Sequence, residues 1–510
     1  MNKLIKKILF IFLYVSFGGS VFSNCVNKDN TRQKTQIPER LRISPINPHL
    51  LETQGGKPVF LNNNTIWELI RNSKREDIPD LIALCKKSGY NMVSAVILGE
   101  SKNSDKTVYG VHAFKRGTNG LPNPLEPVTT TGNTPNKPEQ YDYWDHIEYI
   151  VDLLAKNGMY ISLHPAWGCW FSGHYLGERP GDHIIFSTEK IAYKYGQWLG
   201  SRYKNKTNII WMLGGDRSAI YGKEHDYRNL YNAMAEGLAD GVNGENKQDG
   251  QANYTTIPIS FHPRKWAPNS SEWFHNAPWL MFNSIQDTPY DQVASIMHDF
   301  NLHPEKPVWL FEGRYEGPIT AWGVRYQAYQ TVFSGAFGHT YGGGTMYKFP
   351  PDWKKQTELP GSLQMKYLYY IAYKIWTDEQ YVDRMPDQSL IIGDQGETKG
   401  DGISVGDGNG NNKANNGTSN RITAMRGASG KWALVYTANG RNINLDLSCL
   451  SSGKLNAYWF NPRNGKWWSG ETETEKMTPF LKKVKIGNGS SVFDPPGVPE
   501  AENDWILLLK

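Results

Sequence analysis

Apolar runs of strand length alternate with amphipathic stretches of helix length from residue 57 to about residue 380. This alternation is typical of βα units arranged around a parallel sheet. The predicted strands cover 58–62, 91–98, 159–164, 209–213, 257–261, 280–283, 308–311 and 336–341. The predicted helices cover 76–88, 141–157, 188–203, 227–240, 291–301, 324–334 and 363–377. After the fifth strand the helical pattern is weak, and residues 269–276 predict only a turn.

Eight such strands in about 320 residues predict an α/β fold, a (β/α)8 TIM barrel with enlarged loops. The alternative is an open, doubly wound sheet. The chain has no GxGxxG motif after its first predicted strand, which is the usual mark of dinucleotide-binding sheets of that kind. The pattern therefore favours the barrel, which we place at residues 45–382.

The pattern changes after residue 385. Residues 393–420 are crowded with Gly, Asn and Asp, which indicates a long surface loop. Short alternating runs follow at 431–436, 442–447, 455–460 and 504–509, with a turn signal at 461–465. Short strands separated by frequent turns predict an antiparallel β-sandwich over residues 383–510.

The first 24 residues have the features of a signal peptide. Lys3, Lys6 and Lys7 precede an apolar run at 8–15 that is too short to span a membrane. Either a cleavage site follows Ser23, or Cys25 is the lipid-bearing first residue of a bacterial lipoprotein; both alternatives stay open. Residues 25–44 would then form a tether, and we expect an exported protein that is periplasmic, extracellular or anchored at the outer membrane.

Composition narrows the classes of partner. A net charge of +5 with scattered Lys and Arg does not favour nucleic acid. The 18 Trp and 28 Tyr residues serve either the core or the stacking of sugar rings. Four cysteines without a CxxC pair indicate neither a disulfide scaffold nor a metal site. We expect a carbohydrate partner and no cofactor, while the oligomeric state is left open.

Two apolar strands end in a single carboxylate, and these acids are the main candidates for chemistry. Asp216 follows Gly214 and Gly215 at the end of the fourth strand, and Glu312 follows the seventh. Acids at the carboxyl ends of barrel strands lie on the face where such barrels hold their active sites, and paired carboxylates cleave glycosidic bonds. The structural alternatives are a helix N-cap for Asp216 and an ion pair between Glu312 and Arg314.

All the strand ends carry polar or aromatic residues, which we interpret as a substrate-binding rim. The predicted substrate-binding residues are Asn64, Trp67, Glu100, His164, Trp167, Arg217, His262, Gln286, Arg314, Glu316, His339 and Tyr341. A metal-dependent hydrolase with a site at His164, His262 and His339 is one rival. No HxH follows the first strand, so we predict no metal ligands. A non-catalytic carbohydrate-binding surface protein is the other rival.

These motifs also carry a family resemblance. Nearly all of residues 45–380 resemble the apiosidase-like glycoside hydrolases, the DUF4038 domain that includes family 140. The similar motifs are Lys57-Pro58-Val59-Phe60, Thr65-Ile66-Trp67, Gly89-Tyr90-Asn91, residues 196–203, residues 208–216, Glu312-Gly313-Arg314-Tyr315-Glu316 and residues 335–342. The tail, with its motif at 458–465, is similar to the β-sandwich named for collagen binding that commonly follows this barrel.

The resemblance implies a retaining, exo- or endo-acting glycosidase with a (β/α)8 barrel. With the amino-terminal segment, we expect a secreted enzyme that cleaves a plant or microbial polysaccharide by double displacement. It matches Asp216 to the general acid/base and Glu312 to the nucleophile. Where many relatives read Asp-Thr-x-Trp, this chain reads Asn64-Thr65-Ile66-Trp67, which removes a charge near the rim.

Overall fold

Eight parallel strands form the central sheet of the molecule. The computed structural model describes residues 37–510 except 102, 174–182, 224, 266–268, 287–291, 398–418, 452–454 and 487–488. The eight strands are Leu61–Thr65, Met92–Val96, Tyr160–His164, Ile209–Gly214, Ile259–His262, Asn283–Gln286, Val308–Glu312 and Gly338–Tyr341. The predicted barrel with a C-terminal antiparallel domain is therefore confirmed.

The order of the strands shows how the barrel closes. Each strand pairs with its neighbours in sequence from the first to the fifth and from the sixth to the eighth, and the eighth pairs with the first. Between the fifth and sixth strands the ladder is replaced by a parallel bridge from Ile259 to Leu280. The barrel is thus nearly closed, and the doubly wound alternative is wrong.

Two predicted strands are displaced along the chain. Pro58–Val59 belongs to a separate antiparallel sheet with Leu41–Ile43 and Leu51–Thr53, so the first barrel strand begins at Leu61. The sixth strand begins at Asn283 instead of residue 280. In both places the strand contains polar residues that are fully buried, which a search for apolar runs misses.

Helices flank most of the strands. The longer ones are Asp77–Lys87, Tyr143–Lys156, Glu189–Tyr203, Arg228–Asn243, Gln292–Phe300, Ala321–Phe333 and Pro360–Tyr369. Among the described residues between the fifth and sixth strands, Ser271–Phe274 is a short helix, where the sequence predicted a turn. Further short helices are Leu69–Asn72, Cys169–Ser172, Trp353–Gln356 and Asp378–Val382. Two hairpins lie in the loops, Phe114–Arg116 with Pro122–Pro127 and Ile220–Tyr221 with His225–Asp226.

Each barrel strand has an inner and an outer face because side chains alternate along a strand. Inside, the amide of Asn63 donates to Ser94 Oγ at 2.6 Å and to Thr340 Oγ1 at 3.2 Å, which links three strands. Outside, Leu310 packs with Ile296 of the helical layer. Polar side chains such as that of Asn63 therefore lie inside this barrel, so a polar residue in a strand is not necessarily at the rim of the active site.

The C-terminal domain is an antiparallel sheet with a smaller partner. Its seven-stranded path runs Arg384–Pro386, Ile422–Gly427, Ala433–Thr437, Trp505–Leu509, Leu455–Phe460, Trp467–Trp468 and Glu473–Thr474. Leu481–Val484 pairs with the fifth of these strands, and Ile443–Asp446 pairs separately with Ser490–Phe493.

Both faces of the main C-terminal sheet are buried. On one face Val435 and Leu507 share a core with Ile443 and Phe493 of the two-stranded partner. On the other face Tyr436, Leu434, Ile506 and Leu508 belong to the same apolar cluster as the barrel. The sheet is therefore the middle layer between its partner and the barrel, and residues 36–510 form one compact unit.

Several predictions fall outside the described residues: the signal peptide, Cys25 and most of the loop at 393–420. Within the described part of the chain, no helix is both long and apolar enough to cross a membrane. Cys85 and Cys169 are buried and Cys449 is exposed, and all three are free thiols.

Candidate active site

Asp216 lies at the end of the fourth strand in a loop that depends on glycine. Gly214, Gly215 and Asp216 all have positive φ, at 76°, 119° and 52°. A Cβ on Gly215 would lie 2.7 Å from the ring of Trp167, so only glycine lets the backbone pass under this indole. The helix that follows has Tyr227 as its N-cap, so the alternative of a helix cap for Asp216 is wrong.

Glu312 ends the seventh strand beside a β-bulge. Leu310 pairs with Ile285, whereas the next residue of the sixth strand, Gln286, pairs with Glu312, so Phe311 is the extra residue. The ring of Phe311 lies 5.2 Å from that of His262 inside the barrel. The bulge brings two consecutive side chains, Phe311 and Glu312, to the interior.

Hydrogen-bond donors surround the carboxylate of Glu312. Trp67 Nε1 donates to Oε1 at 3.0 Å, and the hydroxyl of Tyr315 donates to the same oxygen. His262 Nε2 lies 3.1 Å from Oε2, and Gln286 Nε2 donates to Oε2 at 2.7 Å. Since donors of this kind stabilise a negative charge, the site is built to hold Glu312 ionised.

The two acids face each other across a short gap. Carboxylate oxygens of Asp216 and Glu312 lie within 4.8 Å of one another. Gln286 Nε2 also donates to Asp216 Oδ1 at 2.5 Å, so one amide nitrogen contacts both acids. Asp216 keeps part of its surface exposed, whereas Glu312 is 6 % exposed.

The environment separates the pKa values of the two acids. Burial, together with the negative charge of Glu312, raises the pKa of Asp216 above its ordinary value. Burial alone would raise the pKa of Glu312, but His262, Tyr315 and Trp67 outweigh it and hold that pKa below its usual range. One acid is thus set to carry a proton while the other is set to carry a charge.

Aromatic rings line the interior below the acids. Trp67 lies 5.2 Å from Trp167 and 5.6 Å from His262, measured between ring centroids. His164 lies 5.5 Å from His262 and is fully buried, and burial lowers the pKa of His164 well below its ordinary value. The structure therefore brings these four predicted residues together beside Glu312.

Glu100 and Arg217 form an ion pair near Asp216. Arg217 Nη2 donates to Glu100 Oε1 at 3.3 Å, and Nη1 donates to the backbone carbonyl of Asp216 at 2.8 Å. Burial raises the pKa of Glu100, and Asp216 adds to this shift. Arg314 is partly exposed, and its backbone exchanges hydrogen bonds with the side chain of Gln327.

Four predicted rim residues lie elsewhere. Asn64 is buried with its amide 4.0 Å from Cys85 Sγ on the outer helix, so its predicted substrate contact is wrong. His339 pairs with outward-facing Leu310 and is fully buried on the helical side. The prediction that His339 binds substrate is therefore also wrong, because its side chain faces the helices. Adjacent residues of a strand point to opposite faces, and the sequence did not show which face each polar residue takes.

Glu316 and Tyr341 use their polar groups within the fold. The hydroxyl of Tyr341 donates to Glu316 Oε2 at 2.6 Å. Backbone N–H groups of Gly361 and Ser362 donate to Glu316 at 2.8 and 3.1 Å, at the start of the helix Pro360–Tyr369. Glu316 thus accepts hydrogen bonds at the start of a helix, and the hydroxyl of Tyr341, predicted to bind substrate, is used by Glu316 instead.

One group of side chains among the described residues has the spacing of metal ligands: Asp216, His262 and Glu312. A cation binds to the free lone pairs of its ligands. The side-chain N–H groups of Gln286 donate to both carboxylates and Tyr315 donates to Glu312, so these lone pairs are already used. The donor set therefore fits a catalytic acid pair better than a metal. The alternative site at His164, His262 and His339 is wrong because His339 faces the outer helices.

Sequence reasoning missed Tyr315. Its hydroxyl contacts Glu312 and accepts from Trp67 Nε1 at 3.1 Å. The only signal was a tyrosine three residues after the strand-end acid.

A barrel with an acid pair at the carboxyl ends of its strands is the architecture of a glycoside hydrolase. Residues 46–377, more than half of the chain, match the family described as "Apiosidase-like, catalytic domain". Residues 410–510 match the family described as "Putative collagen-binding domain of a collagenase". The chain belongs to the apiosidase-like family and is a glycoside hydrolase.

Solved structures are similar over almost the whole chain. One, described as a glycoside hydrolase, is 26 % identical with a TM-score of 0.71 and covers 93 % of this chain and 98 % of its own. Another, described as a glycoside hydrolase of family 5 from Bacteroides vulgatus ATCC 8482, is also 26 % identical. Its TM-score is 0.70, and it covers 93 % of this chain and 95 % of its own. None of the curated proteins compared with the chain matches it.

Proposed function

We propose that this chain is a retaining glycoside hydrolase in which Asp216 is the general acid/base and Glu312 the nucleophile. The observation that carries the proposal is the separation of the acids, whose oxygens approach within 4.8 Å. Retaining enzymes hold their carboxyl groups about 5–5.5 Å apart, whereas inverting enzymes need about 6.5–9.5 Å to admit a water.

The two steps follow from the opposite pKa shifts. Glu312 attacks the anomeric carbon while the glycosidic C–O bond breaks, and the proton of Asp216 passes to the departing oxygen. In the second step Asp216 removes a proton from water, the water oxygen bonds to the anomeric carbon, and the ester bond to Glu312 breaks. Asp216 regains its proton, and Glu312 regains its charge.

The substrate we propose is a complex plant or microbial polysaccharide, cleaved outside the cytoplasm after export. The family description supports a sugar substrate of the apiosidase type, and the aromatic side chains of Trp67 and Trp167 beside the acids suit a sugar ring. The lysines and apolar run at the amino terminus support export, with release or lipid attachment at Cys25 as the two routes.

The test uses 2,4-dinitrophenyl glycosides of pentoses and hexoses with azide as an external nucleophile. Glu312→Ala should lose turnover, and azide should restore it with inverted configuration in the glycosyl azide. Asp216→Ala should still release the activated phenol, because a good leaving group needs no acid, and azide should then yield a product of retained configuration. NMR of the glycosyl azide gives both configurations.

Exposed acids provide matched controls. The control variants are Asp226→Ala and Glu305→Ala. Asp226 lies in the same loop as Asp216, and Glu305 precedes the strand that ends in Glu312. Both controls should keep wild-type turnover. Full turnover by Glu312→Ala without azide, an azide product of inverted configuration from Asp216→Ala, or an inverted sugar released by the wild type would overturn the proposal.

A further inference from the structure

The side-chain amide of Gln286 lies between the two proposed catalytic acids. Nε2 is 2.5 Å from Asp216 Oδ1 and 2.7 Å from Glu312 Oε2. The amide nitrogen faces the acids because Glu312, which the site holds ionised, only accepts hydrogen bonds, so a carbonyl oxygen there would be repelled. Both amide hydrogens are therefore used, one by each acid.

The other end of the same amide has no partner. Oε1 of Gln286 is buried and accepts no hydrogen bond from any described residue, although the side chain is only 8 % exposed. Leaving a buried acceptor unpaired is unfavourable, because it has lost its hydrogen bonds to water and gained none in return. A donor that enters the site with the substrate would remove that cost, and a sugar hydroxyl is such a donor.

We propose that Gln286 positions the two acids and also determines which sugars bind, an inference that rests on the proposed function. Its N–H groups hold Asp216 and Glu312 for double displacement, and its Oε1 accepts a hydrogen bond from the hydroxyl next to the anomeric carbon. We choose that hydroxyl because its carbon is next to the one that Glu312 attacks, and Gln286 is hydrogen-bonded to Glu312. The substrate class is therefore glycosides with a free hydroxyl at carbon 2, rather than 2-deoxy or 2-acetamido sugars.

The position of the amide predicts an effect on the pH dependence. Each N–H bond favours the ionised form of the acid that accepts it. Removing the amide should raise the pKa of Glu312, which must be ionised, and that of Asp216, which must be protonated. Both limbs of the pH profile should then move to higher pH, whereas a purely structural defect would lower activity without moving either limb.

The experiment compares Gln286→Met with the exposed control Gln251→Met. The pH profile of kcat/KM is measured on a 2,4-dinitrophenyl glycoside that the wild type hydrolyses, and on its 2-deoxy counterpart. We expect kcat/KM to fall about 10²-fold in Gln286→Met, as for loss of a preorganised donor, with both limbs displaced upward. The wild type should discriminate against the 2-deoxy substrate more strongly than the variant does.

Gln286→Asn serves as a second variant if Gln286→Met does not fold, because it keeps the amide but shortens its reach by one methylene. An unchanged pH profile and unchanged discrimination in the folded variant would overturn the inference. The proposed function would still stand in that case, provided that Asp216→Ala and Glu312→Ala behave as described. Activity in Glu312→Ala without azide would instead remove the proposed function itself.

Discussion

Arg325 and Asp504 form a buried, bidentate ion pair between the barrel and the C-terminal sheet. Arg325 Nε donates to Oδ2 and Nη2 donates to Oδ1, both at 2.8 Å, and the two side chains are 4 % and 0 % exposed. Arg325 lies on the helix that follows the strand of Glu312, and Asp504 directly precedes the last strand of the sheet. The C-terminal domain is therefore bound to the helix that directly follows the strand of the proposed nucleophile.

Breaking this pair should destabilise the whole molecule. Asp504→Asn leaves Arg325 buried without its counter-charge, and we expect a loss of about 3–5 kcal/mol in the free energy of unfolding. Urea-induced unfolding followed by tryptophan fluorescence measures the loss. Asp394→Asn is the control, because Asp394 pairs with Arg441 but is 76 % exposed, where water screens the attraction between the two charges and the pair contributes little. Equal losses in the two variants would contradict the prediction.

A chain that ends at residue 382 should not yield a folded barrel. The barrel residues Trp322 and Trp376 pack on the sheet: Trp322 Nε1 donates to the carbonyl of Ala438 at 2.9 Å, and the Trp376 and Trp432 rings are 4.4 Å apart. Without the sheet these indoles are exposed, so we expect aggregation. Soluble yield and circular dichroism test this, with residues 383–510 supplied in trans as the control that should restore solubility. A soluble, cooperatively unfolding barrel would show that the two parts are independent.

Tyr315→Phe should move only one limb of the pH profile. The lost hydroxyl donates to Glu312 and helps to lower its pKa, so the pKa of Glu312 rises in the variant. Since Glu312 must be ionised, the acid limb shifts to higher pH while the basic limb, set by Asp216, stays in place. Loss of a bond to a charged group costs about 1.5–3 kcal/mol, which corresponds to roughly 10- to 10²-fold in kcat/KM.

The control for this variant is Tyr347→Phe, since the ring of Tyr347 lies 5.6 Å from that of Tyr315. It should leave the acid limb unchanged. A shift of both limbs in Tyr315→Phe would mean that the hydroxyl acts on Asp216 as well.

Gly215→Ala should inactivate the enzyme more than backbone strain alone explains. The new Cβ would lie 2.7 Å from the indole of Trp167 and would displace Asp216 beside it. Gly222→Ala is the control: Gly222 in the same loop also has a positive φ, 64° against 119° at Gly215, but a Cβ added there meets no atom within 4 Å. We expect both variants to lose some stability and only Gly215→Ala to lose kcat/KM by a large factor. Equal kcat/KM in the two variants would contradict the prediction.

Glu316→Gln should affect stability and spare the chemistry. The carboxylate of Glu316 accepts hydrogen bonds from the backbone N–H groups of Gly361 and Ser362 and from the hydroxyl of Tyr341. A side-chain amide has one acceptor oxygen fewer, so its NH2 group would face a group that donates. We expect a loss of about 1–3 kcal/mol, seen as a lower thermal midpoint. KM should stay at the wild-type value, because Glu316 has its partners within the fold. A raised KM with an unchanged midpoint would restore the prediction of substrate binding for Glu316.

The architecture was predictable because most barrel strands, such as Ile209–Gly214 and Val308–Glu312, are apolar runs of strand length, whereas the first, sixth and eighth are largely polar. The acids were predictable for the same reason, since each ends such a run. The orientation of polar residues was not predictable: Asn64 and His339 have the composition of rim residues, yet they face the helices. Tyr315 was missed because its contact with Glu312 depends on how the loop after the seventh strand folds back.

The bulge at Phe311 limits how this active site can be engineered. In a regular strand, consecutive side chains point to opposite faces, so a strand that keeps both residues but lacks the bulge would turn either Glu312 away from Asp216 or Phe311 out of the core. A chimera that grafts the seventh strand into another barrel must therefore transfer the sixth strand with it, since Gln286 sets the offset. The transferable unit is the strand pair.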